Sequence, residues 1–211
     1  MTTGSPSVSR AERKKRELRR EIIEAAFDCF AERGYHATGI ADIAARLGMG
    51  HGTFYRYFAN KRDIVDHVIT ELVERVVAAL AAENAPDAVT SLAEYRAQTA
   101  RIGEALTRIF GDDPRIARFL VLEAAGIDAQ MRERVLDLHD TAARLTAAYL
   151  NHGARIGYLP ADLDVGPTAR AINGMILAAV IAALRDPDAR ARARMSEAVR
   201  RVMYDGITAP R

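Results

Sequence analysis

The sequence predicts an all-α protein of about nine helices. Apolar residues recur every three or four positions along most of its 211 residues, no run alternates apolar and polar as a half-buried strand does, and Gly, Pro and Asp fall at the ends of the periodic segments. Apolar residues make up 49% and charged residues 27%, the composition of a folded domain, and the length holds one large domain or two small ones. There is no internal repeat. The pattern divides into a disordered Ser/Thr/Gly/Pro arm at 1–8, a three-helix head at 9–62 and a larger helical domain at 63–211.

The first helix is expected to open on a capping box, Ser9 with Glu12, and to run to Arg33 with Leu18, Ile22, Ala26 and Phe30 as its inner stripe and Gly34 as its left-handed stop. Ile40, Ile43, Ala44 and Leu47 then mark a short second helix, with Thr38 as the expected N-cap. Gly48-Met49-Gly50 breaks it, and a third helix restarts over 51–58 with Phe54 and Phe58 four apart. Two short helices meeting at a Gly turn form a helix-turn-helix, a DNA-reading unit. Phe54 and Phe58 are expected in the core. Asn60-Lys61-Arg62-Asp63 opens a long fourth helix, apolar on its inner face from Ile64 to Leu80 and ended by Ala85-Pro86.

The fifth helix spans roughly 87–110, with Leu92, Tyr95, Thr99, Ile102, Leu106 and Ile109 on one face. The sixth starts at Asp113-Pro114 and stops near Gly126. The seventh starts at Asp128, carries the stripe Met131, Val135, Leu138, Ala142, Leu145, Tyr149, His152 and Ile156, and ends at Gly157. After a loop over 159–167, with Asp164 as cap, the eighth helix is apolar nearly all round and is expected to be sandwiched. Asp186-Pro187 begins the ninth, whose apolar edge is Met195, Ala198, Val199, Val202 and Met203.

Charge is unevenly placed. The chain is +2 overall, but residues 1–62 carry twelve Lys and Arg against seven Asp and Glu, so the helix-turn-helix end is basic, as phosphate binding requires. Arg10, Arg13, Lys14, Lys15, Arg16, Arg19 and Arg20 crowd the first turns, where part of the run is expected near DNA backbone. The longest nearly apolar run, 174–184, is short for a bilayer span and the N-terminus has no apolar signal core, so a cytoplasmic, membrane-free protein is expected. The single cysteine, Cys29, cannot form an internal disulfide and reads as a packing residue; no Cys/His cluster has zinc spacing, and no cofactor is called for. Metalloprotease, nucleophile-elbow and P-loop motifs are missing, which argues against an enzyme.

Residues 34–65 closely resemble the DNA-binding segment of the TetR family of bacterial transcriptional regulators, through Gly34-Tyr35, Thr38, Ile43-Ala44, Gly48, Gly52-Thr53-Phe54-Tyr55, Tyr57-Phe58 and Asn60-Lys61. Counting the first helix, the resemblance covers about a third of the chain; beyond it only helix number, length and the pattern Gly153-x-x-x-Gly157-x-Leu159 agree. It implies a homodimer, a DNA-binding head and a C-terminal ligand-binding and dimerisation domain. Carried over by position, it implies Thr38, Thr53, Tyr55 and Tyr57 as DNA contacts and Lys61 as a phosphate clamp at the start of the fourth helix. Family members commonly have Ser or Thr at position 39 and Ser at 50, where this chain has Gly. Base reading then falls to His51, Gly52 and Arg56, an Arg being able to grip a guanine edge with two hydrogen bonds.

In the C-terminal half, polar residues interrupt apolar stripes at Thr99, Glu123, His152 and Asn173. Each reads as a core or rim group satisfied locally. The alternative is a pocket between the fifth, seventh and eighth helices, with Thr99, Arg101, His139, Tyr149, His152 and Asn173 as candidate ligand contacts and Arg118 as a further carboxylate partner. With no Trp and 6% aromatic residues, an aliphatic effector such as a long-chain fatty acid or acyl-CoA suits the composition. Gly174, Ala178 and Ala182, four apart, permit close helix approach, and with Met195, Val199 and Val202 they are the expected dimer interface. A twofold dimer places its recognition helices ~34–36 Å apart and reads a palindrome. The expected protein is a repressor released from operator DNA by a small lipophilic ligand; the alternative is a lipid-binding helical carrier with a vestigial DNA head.

Overall fold

The computed structural model describes residues 9–81, 85–186 and 188–205; the arm at 1–8 and Pro187 lie outside them. Among the described residues every regular element is helical, with nine α-helices. The chain divides into two compact units, Met1–Glu74 and Arg75–Arg211.

In the first unit, α1 (Arg10–Arg33) opens on the expected capping box: Ser9 Oγ accepts the Glu12 N–H at 3.1 Å while the Glu12 carboxylate accepts the Ser9 N–H at 3.1 Å. Gly34, at φ 81, takes its last turn into the left-handed region that favours glycine. The buried face begins at Ile22 and includes Ala26, Cys29 and Phe30, so Cys29 is a packing residue. The short α2 (Ile40–Arg46) corrects one expectation, because its N-cap is Gly39 and not Thr38. The cap group comes from inside the helix: Asp42 accepts the Gly39 N–H at 2.7 Å. Gly48, at φ 62, turns the chain into α3 (His51–Tyr55), which is shorter than the expected 51–58, although the Phe58 N–H still reaches the Phe54 carbonyl. Helix α4 (Lys61–Ala81) buries Ile64, Val65, Val68, Ile69 and Leu72, whereas Val77 is exposed. The inner face of α4 is therefore fully covered only in its first half.

In the second unit, α5 (Leu92–Asp112) begins five residues later than the expected 87, because Ser91 caps it by accepting the Glu94 N–H. Asp113-Pro114 starts α6 (Pro114–Arg118) as expected, but the segment does not remain α-helical: residues 119–123 form a π turn and 124–126 a 3₁₀ turn. Asp128 caps α7 (Ala129–Ile156), and Gly157 ends it at φ 93. Asp164 precedes α8 (Val165–Arg185) but makes no side-chain cap bond, and Pro167 lies in the first turn of α8 rather than in a loop. Asp188 accepts the Ala191 N–H and thereby caps α9 (Ala189–Asp205).

Helix α8 packs on α7 and α9, yet only Ala169 and Ile172 are buried within one chain, and α9 buries none of its residues. The expected sandwich is thus left open on one side. By length and composition α8 matches a bilayer span, with mean hydropathy 1.5 over 18 residues, whereas the sequence pattern marks only the shorter run at 174–184.

Candidate nucleic-acid interface

The helix-turn-helix is held by ion pairs and a phenylalanine pair. Arg46 on α2 grips Glu32 on α1 with two bonds of 2.8 Å and lies 3.3 Å from Asp28; Arg33 meets Asp42 at 2.9 Å. The Gly39 N–H and then Arg33 hold the Asp42 carboxyl below its ordinary range, and Asp42 in turn raises the Arg33 guanidinium. Below α3, Phe54 and Phe58 are buried with ring centres 5.7 Å apart, as expected. Anchoring two residues four apart fixes which side of this turn is left outward.

That outward side carries His51, Gly52, Tyr55 and Arg56, all exposed, with Tyr55 at 55%. Thr53 and Tyr57 are half-buried beside them. The arrangement places an imidazole, a phenol and a guanidinium, all able to donate hydrogen bonds, on one short helix and its C-cap.

Two expected DNA contacts are committed elsewhere. Thr38 is buried, with its hydroxyl 3.0 Å from the Cys29 carbonyl and 2.9 Å from that of Gly34, so it fastens the second helix to the end of α1. The Lys61 ammonium donates to the carbonyls of Tyr35 at 2.9 Å and Thr38 at 3.0 Å and lies over the Tyr35 ring. Its charge stands at the N-terminus of α4, but its hydrogen bonds are made to the protein.

The candidate effector residues are scattered in the second unit. The space between α5, α7 and α8 is filled by Tyr95, Leu150, Ala169 and Ile172, with Tyr149, Tyr158, Met175 and Tyr204 against them. Thr99 is half-buried and bonded to the Tyr204 hydroxyl. Asn173 donates to Thr146 Oγ1 and the Ala169 carbonyl. Arg101 and His139 are exposed, and Arg118 pairs with Glu123 at 3.2 Å. Burial pushes the Tyr149 phenol up.

His152 is buried. Its Nε2 lies 2.7 Å from the Val89 carbonyl, which requires Nε2–H as donor, and its Nδ1 accepts from Arg155 at 3.0 Å, so the neutral ring satisfies both bonds. It also lines an open cleft of about 490 Å³ with Pro86, Asp87, Ala148, Asn151 and Arg155. Gln98 is a residue that the sequence pattern passes over. It is fully buried and donates to the Ala85 carbonyl at 2.9 Å, while its Oε1 has no partner among the described residues; the buried Tyr158 hydroxyl has none either. Gln98 follows Tyr95 by three and precedes Ile102 by four, the spacing that would have placed it on the inner face.

Comparison with known proteins agrees with this geometry. Residues 22–68 match the family model described as bacterial regulatory proteins, tetR family. The chain is 30% identical over 162 residues to an HTH-type transcriptional repressor of Mycobacterium tuberculosis, covering 70% of this chain and 83% of that one. It is 25% identical over 164 residues to the fatty acid metabolism regulator protein of Bacillus subtilis, covering 78% and 82% respectively. The fold matches that of the regulator FadR from Bacillus subtilis in complex with stearoyl-CoA, with a TM-score of 0.72 at 22% identity over 90% of this chain and 99% of that one. These relatives are transcriptional regulators, and with its exposed α3 the chain belongs to the TetR family of bacterial transcriptional regulators.

Proposed function

We propose that the protein is a cytoplasmic, homodimeric repressor that binds a palindromic operator and is released by a long-chain fatty acid or acyl-CoA. The observation that carries the DNA reading is the exposed row His51, Gly52, Tyr55 and Arg56 over the buried pair Phe54 and Phe58. In this reading residues 9–62 are the DNA-binding head and 63–211 the ligand-binding and dimerisation domain. Arg56 and His51 read base edges, Tyr55, Thr53 and Tyr57 contact phosphates or sugars, and Gly52 allows close approach to the groove. Lys61 adds positive charge at the start of α4 while its ammonium ties the head together.

The dimer reading rests on α8 and α9, whose apolar residues a single chain leaves partly uncovered. A second copy packed along Gly174, Ala178, Ala182, Met195, Val199 and Val202 would cover that surface. The effector reading is supported by the Bacillus subtilis relative, a regulator of fatty acid metabolism, and by the aliphatic composition of the second unit. Gln98 Oε1 and the Tyr158 hydroxyl are buried polar groups available to a ligand's polar end; Thr99 follows Gln98 on α5, Tyr149 and His152 lie on α7, and Asn173 lies on α8.

A ligand changes operator affinity only by binding the two states unequally. The test is operator affinity with and without saturating stearoyl-CoA, together with mass spectrometry of small molecules that copurify. Release corresponding to a coupling of ~1–3 kcal/mol, roughly 5- to 150-fold, is expected. Unchanged affinity rejects an acyl-CoA effector.

A further inference from the structure

The space between α5, α7 and α8 is filled by side chains, so a lipophilic ligand enters it only by displacing one of them. Val89, Tyr95, Leu150, Ala169 and Ile172 are buried there, whereas Tyr204, packed against them, comes from the last turn of α9, a helix that buries none of its residues. Helix ends open at little cost in free energy and core positions do not. Tyr204 is therefore the cheapest of these side chains to displace.

Its attachments run to the first turns of α5. The Tyr204 ring meets the Tyr95 ring edge-on at 6.2 Å, and its hydroxyl bonds to Thr99 Oγ1. The Arg96 guanidinium lies 4.8 Å from the centre of the Tyr204 ring and 3.4 Å from the Asp205 carboxylate. Thr99 returns its own proton to α5, 3.1 Å from the carbonyls of Tyr95 and Arg96, so Tyr204 donates and the Thr99 oxygen accepts. Burial pushes the Tyr204 phenol up, which keeps that proton in place at neutral pH. These attachments grade from solvent to core: Arg96 and Asp205 are exposed, Thr99 and Tyr204 half-buried, and Tyr95 buried. Beneath them lie the two buried polar groups without a partner among the described residues, Gln98 Oε1 and the Tyr158 hydroxyl. Gln98 is one turn along α5 from Tyr95, and the Tyr158 ring lies 5.6 Å from the Tyr95 ring. Buried polar groups are ordinarily satisfied, so these two mark a core that something entering it completes.

We propose that Tyr204 is the stopper of a ligand cavity in the second unit: Thr99 and Arg96 hold it over Tyr95, and a lipophilic ligand enters where the end of α9 swings off α5. This rests on the ligand-binding reading above and adds to it the residues that gate entry. Thr99 then acts on the ligand through Tyr204, as a positioning residue, rather than by touching it. The apparent affinity of such a site scales with the fraction of protein that is open, so weakening the latch tightens binding.

The test uses the full chain and the fluorescent dye anilinonaphthalene sulfonate as the lipophilic probe, titrated well below the unfolding temperature, with circular dichroism and sedimentation velocity on each variant. Tyr204→Phe keeps the ring and removes the donor, and Thr99→Val removes the acceptor. Each should tighten dye binding roughly 3- to 10-fold, the effect of one ordinary hydrogen bond on the opening equilibrium. The double variant should bind no more tightly than either single one, because both changes break the same bond. Arg96→Ala should tighten binding as well. The dye should saturate at one site per chain, with the circular dichroism and the oligomeric state of wild type. Unchanged or weaker binding in the single variants overturns the proposal, as does a double variant whose effect is the sum of the two. So does a gain that comes with dissociation or with binding at many sites, since the dye would then report an uncovered interface or a loosened core. Stearoyl-CoA that leaves operator affinity unchanged rejects the acyl-CoA effector and leaves the dye result standing.

Discussion

The Lys61 ammonium donates to the Tyr35 carbonyl at 2.9 Å and lies 4.3 Å from the centre of the Tyr35 ring. With the bond to the Thr38 carbonyl, this one side chain fastens the start of α4 to the chain between α1 and α2. Lys61→Ala should therefore lower the stability of the head by ~1–3 kcal/mol, as it leaves carbonyls without a charged donor. Chemical denaturation measures this directly. Its DNA affinity should fall for all sequences alike, and a variant as stable as wild type would show the internal bonds to be idle.

Thr38 gives a sharper contrast. Its hydroxyl bonds inside the head, so Thr38→Val, nearly isosteric, should cost ~1–3 kcal/mol of stability. Operator affinity measured under conditions where the variant is fully folded should not change. A selective loss of DNA binding without a loss of stability would return Thr38 to the DNA interface.

Gly153 tests the link between α7 and the turn after it. Its carbonyl accepts from the N–H groups of Gly157, Tyr158 and Leu159, and a Cβ at this position would lie 2.6 Å from both Leu159 Cδ1 and Tyr158 Cε2. Gly153→Ala should destabilise by ~1–3 kcal/mol through displacement of both side chains. A thermal unfolding midpoint equal to wild type would contradict that packing.

Asp42 supplies a pH dependence. Its folded carboxyl is held below the ordinary value by the Gly39 N–H and Arg33, so its contribution is present above the unfolded value of ~3.9 and is lost as pH falls through the folded one. Asp42→Ala should lower stability at neutral pH and converge on wild type in strong acid. A stability difference that does not change with pH would show that the charge is irrelevant there.

Much of this was legible because helix ends are written locally. Ser9 with Glu12, Asp113-Pro114, Asp128 and Gly157 each satisfy or redirect backbone groups within a few residues, and each is found in its expected role. Thr38 fails as a cap because two carbonyls at the end of α1 compete for its hydroxyl, and that is a tertiary fact. Gln98 and Thr99 are adjacent on a helix, so a small error of phase puts the half-buried one inside and misses the fully buried one. Helix α8 reads as buried on every side, yet one chain covers only part of it, because the pattern records burial without recording by whom. No feature of residues 119–123 announces the π turn.

The most direct measurement is a titration of the wild-type protein with its selected palindromic duplex and with a scrambled duplex of equal length and composition, at one fixed salt concentration. Preference for the palindrome by a factor of about 10³ or more is expected, with Arg56→Ala reducing discrimination at one base-pair position in each half-site. Equal affinity for the two duplexes would contradict sequence-specific recognition by α3.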